Sequence, residues 1–377
     1  MTEKIKSVAI IGAGTMGSGI ALALFRDGYE VNLCDVNAEI LKAGYDKVAA
    51  KTRKPEDLER IKTFSDIKEA VTDVDLVIEA VFEDFELKKK IFELLDESCK
   101  KDAILATNTS SISISKIADT TKRPEKVIGL HFFNPAYLMK LVEIIPGEKT
   151  DPQVLEDTKE FASSLKRKIA IVAKDAPGFI FNRILIPLVN EAFYFLEKNP
   201  EKTAEIDKTT RDHGIMPMGP YELSDLIGLD VILSVSNVIF NGLGQKPEYA
   251  PPSKLKEYVD NGRFGIKNMH GIYKYEKNEL GNPVIADKKE LDKGFSFDAN
   301  RLIAIAVNES CKVLEDKVAA CPEDIDAAIK AGGGWSKGIF EYANEFGIEK
   351  IKELLNNLYE QSGKNPRYLI CEKLNKL

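Results

Sequence analysis

Apolar residues follow two rhythms along this chain. In the first part they come as short continuous runs: residues 6–11 (KSVAII), 30–33 (EVNL), 75–80 (DLVIEA), 103–107 (AILAT) and 127–132 (VIGLHF). Runs of this length, bounded by turn and charged residues, predict strands of a sheet covered on both faces. The segments between them space their apolar residues helically, through Ile20, Leu22, Leu24 and Phe25 and again over 85–95. Strand alternating with helix predicts an α/β fold with a parallel, doubly wound sheet. Ligands of such a sheet sit beyond the carboxyl ends of its strands.

From Asn182 onward the helical spacing takes over. Ile184, Leu185, Leu188, Val189, Ala192, Phe193 and Leu196 predict one long helix that begins at this asparagine. Its pattern returns: Asn182-Arg183, Asn190-Glu191 and Leu196-Glu197 recur as Asn300-Arg301, Asn308-Glu309 and Leu314-Glu315, and Glu205-Ile206-Asp207 as Asp324-Ile325-Asp326. Keeping both the apolar face and the polar positions predicts a duplicated helical domain, two tandem all-α copies behind the α/β domain. The expected boundaries are 1–176 for the α/β domain, 177–275 for the first helical copy, 276–294 for a connector and 295–377 for the second copy. Over 262–294 the charged, turn-rich composition reads as connecting chain.

The first apolar run leads at once into Gly12-Ala13-Gly14-Thr15-Met16-Gly17 and a helical pattern. In a strand, glycine turn and helix of this kind, Gly12 permits the tight turn and Gly14 lets backbone approach a pyrophosphate. Gly17 lets the helix pack close to the strand. The helix N-terminus offers free N–H groups to phosphate, so Gly12, Gly14, Thr15, Met16 and Gly17 are candidate cofactor contacts. The second run ends near Asp35, about where a ribose-binding acid belongs; the competing reading is an N-cap for a helix starting near Asn37. An acid followed by Val36-Asn37 rather than arginine repels a 2′-phosphate, which favours NAD over NADP. Glu79 and Asn108-Thr109-Ser110-Ser111 lie at the ends of two further runs, open to loop chemistry or to capping alone.

Composition narrows the partners. With 53 basic against 60 acidic residues the formal charge is −7, which disfavours nucleic acid or an anionic membrane as the main partner. No run is apolar for long enough to span a membrane, and the first strand-like run begins too early to leave room for a leader. The five cysteines are odd in number and widely spaced, with no Cys/His cluster. Neither a disulfide framework nor a metal site is expected, and a reducing, cytoplasmic location fits.

Of the three histidines, His131 closes the fifth apolar run, where it projects toward the cofactor edge within reach of Ser110. A lone histidine among apolar neighbours is often only a packed core residue. The segment after it argues for more: Asn134-Pro135-Ala136-Tyr137 carries turn residues and 140–145 is a further apolar run. Folding back symmetrically about Tyr137 makes positions 131 and 143 cross-strand neighbours, so that Glu143 holds the imidazole. Such a pair suits oxidation of an alcohol by NAD, in which a base takes the hydroxyl proton while hydride leaves the carbon. His213 and His270 are expected to be ordinary surface or packing residues.

Taken together these stretches resemble the L-3-hydroxyacyl-CoA dehydrogenase family. The similarity is carried by NTSSISIS (108–115), HFFNPAYLMKLVEII (131–145), KDAPGFIFNRILIPLVNEA (174–192) and GIMPMGPYELSDLIGLD (214–230), in the family's order and spacing. It implies NAD-dependent, reversible oxidation of an (S)-3-hydroxyacyl-CoA thioester, of short chain such as 3-hydroxybutyryl-CoA, to the 3-oxoacyl-CoA. His131 would be the catalytic acid/base and Glu143 its orienting partner. Ser110 and Asn182 would hydrogen-bond the reacting oxygen and the thioester region, with Asn134 completing the polar cluster. Glu79 and the segment 83–88 (EDFELK), ending at Lys88, would line the NAD site together with Asn108. Met269 stands where the family has glycine.

The same resemblance implies that the second helical copy covers the apolar face of the first. The expectation is a monomer with an internal pseudo-dimer of helical domains, or a homodimer through another face. Two readings compete: a sugar-acid dehydrogenase of the gulonate type, which resembles the same HFFNP pattern, and a non-enzymatic NAD-binding structural protein. The presence of Ser110, His131, Glu143 and Asn182 together argues against the latter.

Overall fold

The computed structural model describes residues 4–52, 55–199, 201–214, 216–286, 292 and 294–377. The chain forms two compact units, Met1–Phe179 and Ile180–Leu377.

In the first unit β1 (Ser7–Ile11), β2 (Glu30–Cys34), β3 (Ile61–Phe64), β4 (Leu76–Glu79), β5 (Ile104–Thr107), β6 (Val127–Phe132), β7 (Leu141–Pro146) and β8 (Ile169–Val172) form one sheet in the order β3-β2-β1-β4-β5-β6-β7-β8. Strands β1 to β6 are parallel; β7 turns back against β6 and β8 runs with β7. The sheet is therefore doubly wound but not parallel throughout. Helices α1 (Thr15–Arg26), α2 (Ala38–Ala49), α3 (Ile67–Val71), α4 (Phe85–Ser98), α5 (Ile114–Ala118) and α6 (Pro152–Ser164) connect and cover the strands. Every residue of β4, β5 and β6 is buried, as the unbroken apolar runs require of strands sandwiched between helix layers.

Two turns set the cofactor edge. Gly12 has φ +99, and a side chain there would put its Cβ 2.7 Å from the Ala80 carbonyl oxygen; a Cβ at Gly17 would fall 1.7 Å from the Gly12 carbonyl oxygen. Only glycine fits either place. The cap of α2 is Asn37, whose side chain accepts from Glu39 N–H (2.9 Å) and Ile40 N–H (3.0 Å). That role does not fall to Asp35.

The second unit contains α7 (Phe181–Lys198), α8 (Thr203–Asp212), α9 (Pro220–Ile227), α10 (Leu229–Gly242) and α11 (Ser253–Asp260), then the short hairpin β9 (Tyr275–Lys277) and β10 (Pro283–Ile285). It ends with α12 (Asn300–Glu315), α13 (Pro322–Gly333), α14 (Ile339–Phe346), α15 (Ile348–Gln361) and α16 (Glu372–Lys376). The two sets of five helices repeat each other in detail. Asp207 accepts from Tyr221 and Glu222 N–H (2.9 and 3.1 Å) at the start of α9, and Asp326 accepts from Phe340 and Glu341 N–H (2.8 and 3.1 Å) at the start of α14. Long helices α7 and α12 pack on one another and exchange ion pairs: Arg183 faces Glu309 at 3.7 Å, and Arg301 pairs with the fully buried Glu191.

Part of the expected connecting chain belongs to the first helical set. Tyr273 donates to Asp207 (2.6 Å) and Tyr275 to Asp225 (3.0 Å). Met269 takes the left-handed conformation itself, φ +62, where the family resemblance calls for glycine. The portion of the connector over 287–291 and at 293 lies outside the described residues. Among the described residues no single helix is long and apolar enough to cross a membrane.

Candidate active site

His131 and Glu143 face each other in the antiparallel β6–β7 pair. Both side chains are buried, at 4% and 0% exposure, and imidazole Nδ1 lies 2.8 Å from Glu143 Oε2. A carboxylate only accepts, so Nδ1 carries the shared proton, and in the neutral ring Nε2 is the acceptor. At 3.0 Å from Nε2 stands Ser110 Oγ, whose hydroxyl then donates to the ring. The rings of Phe133 and Phe179 pack on the imidazole, with centroids 4.6 and 5.7 Å away. The arrangement fixes tautomer and tilt together and directs the basic nitrogen at a hydroxyl.

Ser110 follows β5, in a loop of small polar residues. Glu83 Oε1 accepts from Ser110 N–H (3.0 Å), Ser111 N–H (3.0 Å), Ser111 Oγ (2.6 Å) and Thr109 Oγ1 (2.5 Å). Burial pushes the Glu83 carboxyl up, but the Lys88 ammonium and these donors outweigh it and hold the group below the usual carboxylate range. Farther along, Asp175 accepts from Ser113 Oγ, Ile114 N–H, Ser115 N–H and Ser115 Oγ at 2.8 to 3.1 Å. Asn108 Oδ1 accepts from Phe132 N–H (2.8 Å), which ties the loop to the strand end next to His131. Asp175 carries no sequence signal beyond its place in KDAPGF.

Other expected site residues are less directly placed. Glu79 and Lys88 are 0% and 1% exposed and pair with each other at 2.7 Å; Glu79 also accepts from Thr107 Oγ1 (2.8 Å) and Val81 N–H (2.7 Å). Instead of an exposed lining they form an ion pair beneath the ends of β4 and β5. Asn134 is exposed and, among the described residues, makes no hydrogen bond to Ser110, His131 or Glu143. Asn182 belongs to the second unit, in the first turn of α7, where Ile180 holds the cap position.

The edge formed by β1 and β2 fits a dinucleotide. Gly14 is the N-cap of helix α1, which has no side-chain cap and no acid in its first turn, so its first N–H groups are available to an anion. A Cβ at Gly14 would meet nothing within 4 Å, which leaves backbone open to close approach, and Thr15 and Met16 follow in the same turn. Asp35 accepts from Ala13 N–H (2.8 Å) and Asn37 N–H (2.9 Å), which places its carboxylate beside the glycine turn. Among the described residues no group of three or more His, Cys, Asp or Glu side chains could hold a metal.

Residues 7–176 match the family model "3-hydroxyacyl-CoA dehydrogenase, NAD binding domain", and residues 178–275 and 296–377 match "3-hydroxyacyl-CoA dehydrogenase, C-terminal domain". The chain is 42% identical over 287 residues to a 3-hydroxybutyryl-CoA dehydrogenase of Bradyrhizobium diazoefficiens, covering 73% of this chain and 97% of that one. It is 32% identical to a 3-hydroxyadipyl-CoA dehydrogenase of Escherichia coli, covering 99% and 98%. The crystal structure of a 3-hydroxybutyryl-CoA dehydrogenase from Escherichia coli superposes with a TM-score of 0.85 at 32% identity, covering 99% of this chain and 98% of that one.

Proposed function

The chain belongs to the 3-hydroxyacyl-CoA dehydrogenase family, and we propose that within it the chain works on short thioesters, interconverting (S)-3-hydroxybutyryl-CoA and acetoacetyl-CoA. It is an NAD-dependent oxidoreductase of that family. The observation that carries the site assignment is the buried Glu143–His131–Ser110 array. His131 Nε2 takes the proton of the substrate hydroxyl, and the charge that appears on the ring is balanced by Glu143 at Nδ1. Ser110 hydrogen-bonds the reacting oxygen, and the family resemblance gives Asn182 the thioester region. In the reverse direction His131 returns the proton. NAD, when bound, supplies the hydride acceptor. Gly12, Gly14, Thr15, Met16 and Gly17 hold its phosphates, and Asp35 the ribose.

A second substrate, a dicarboxylic thioester such as 3-hydroxyadipyl-CoA, is favoured by the relative of that name that matches this chain over nearly its whole length. We also read the protein as cytoplasmic, without nucleic acid or membrane as partner. In this reading residues 177–275 and 295–377 act as an internal pseudo-dimer, supported by the reciprocal Arg183–Glu309 and Arg301–Glu191 pairs.

The test is loss of NADH absorbance on mixing the purified protein with acetoacetyl-CoA, with His131→Gln run alongside. Turnover abolished in the variant supports both reaction and base. Activity on longer or dicarboxylic thioesters alone would move the substrate. Silence with every thioester, but turnover of free sugar acids, would turn the reading to the gulonate-type reaction.

A further inference from the structure

Two acids outside the reacting array grip the segment that carries Ser110. Glu83 takes four donors from Thr109, Ser110 and Ser111 on one oxygen. Asp175 takes four from Ser113, Ile114 and Ser115. We propose that Glu83 and Asp175 are positioning residues, a two-jawed carboxylate clamp on residues 109–115 that fixes the Ser110 hydroxyl against His131. This rests on reading Ser110 and His131 as the proton-transfer pair.

Left alone, a run of Thr, Ser and Ser has several local turns and caps to choose from, because each hydroxyl can bond its own neighbouring backbone. An ionised carboxylate that collects several N–H and O–H donors at once selects one arrangement. Each jaw is itself anchored. The other oxygen of Glu83 lies 3.3 Å from Lys88 Nζ, and Lys88 is held by buried Glu79 at the end of β4. Asp175 stands just past β8, on the segment that runs through Gly178 (φ +80) and Phe179 (φ +48). A left-handed phenylalanine is strained, and the one here lays its ring on the His131 imidazole. One jaw thus sets the serine side of the histidine, and the other sets both the serine segment and the aromatic wall.

The full-length protein is tested as Glu83→Ala, Asp175→Ala, Ser110→Ala and the two doubles that combine an acid with Ser110→Ala. Two quantities are read: kcat for acetoacetyl-CoA reduction, and the NADH dissociation constant from nicotinamide fluorescence. Each single variant is expected to lower kcat roughly 10- to 100-fold, the scale of one lost hydrogen bond to a reacting group. Each double is expected to be no slower than Ser110→Ala, since an acid that acts through the serine has nothing left to position. NADH binding should shift by less than about threefold.

Losses that multiply in the doubles, or NADH binding weakened by the same factor as kcat, would overturn the clamp and make these acids independent structural or cofactor groups. If circular dichroism shows an alanine variant unfolded, Glu83→Gln and Asp175→Asn go through the same cycles with the same two outcomes. Failure of the underlying reading looks different: a fully active His131→Gln protein sinks the proton-transfer pair, and the clamp with it, whatever the cycles give.

Discussion

His131 and Glu143 occupy opposed positions on β6 and β7, and their side chains meet at 2.8 Å with almost no exposure to solvent. In the proposed reaction the carboxylate both orients the ring and balances its charge once a proton arrives. Glu143→Gln keeps the shape but removes the charge and lets the amide offer either a donor or an acceptor, so the ring loses its fixed tautomer. We expect kcat to fall on the order of 10²- to 10⁴-fold while KM for the thioester changes little. Steady-state kinetics check this, and a variant with unaltered kcat removes Glu143 from the mechanism.

Asp35 sits beside the glycine turn, accepting from Ala13 N–H. A carboxylate at this point attracts the ribose hydroxyls of NAD and repels a 2′-phosphate. Asp35→Ser is expected to raise KM for NADH and narrow the preference for NADH over NADPH by roughly tenfold or more, the scale of one charged contact. The ratio of kcat/KM for the two cofactors measures it. An unchanged ratio would assign the discrimination elsewhere.

Much of this site can be read before any coordinates exist, for identifiable reasons. The β6–β7 register follows from two apolar runs placed symmetrically about Tyr137, and the glycine turn follows from spacing alone. The edge strands β3 and β8 are harder to see. Their burial alternates or is sparse, unlike the solid runs of β4 and β5, and Lys62 sits within β3. A short exposed strand carries no apolar signature. The α2 cap goes to Asn37 because backbone placement, not residue type, decides which of two good cappers meets the helix N–H groups. Glu83 and Asp175 are illegible for a related reason: their partners lie 26 to 28 and 60 to 62 residues away, and only the folded sheet brings them together.

Asp75, at the start of the β4 segment, joins it to β1. Its carboxylate accepts from Lys6 N–H (2.9 Å), Ser7 N–H (3.0 Å) and Lys100 Nζ (2.5 Å). Burial works to raise its pKa, but the Lys100 contact and the two backbone donors prevail and bring it down to about 2. A depressed carboxylate pKa stabilises the fold above the unfolded value and loses that contribution as pH falls toward the folded one. Asp75→Asn should therefore cost on the order of 1 kcal/mol at pH 7, less than the shift alone implies because solvent screens this partly exposed pair, with the gap to wild type closing between about pH 4 and pH 2. Urea unfolding across that range measures the gap; a pH-independent difference would show that the charge contributes nothing.

Glu191 is fully buried and serves three groups of the second helical copy: Arg301, Arg367 at 3.3 Å and the Tyr368 hydroxyl at 2.9 Å. Arg183 in turn depends on Glu309 and Asp316. Deleting 295–377 removes every one of these partners and uncovers the surface of α7 on which α12 packs. Two charges would lose their partners beside a newly exposed apolar face; water reaches both charges once the face is uncovered, so the exposed apolar surface carries most of the penalty. The truncated chain is expected to aggregate, or to pair with a second copy that restores the missing face. Light scattering coupled to size exclusion distinguishes these states. A soluble, active monomer of 1–294 would show that the second copy is dispensable, and that the exchanged arginine–glutamate pairs do not hold the first copy in its active shape.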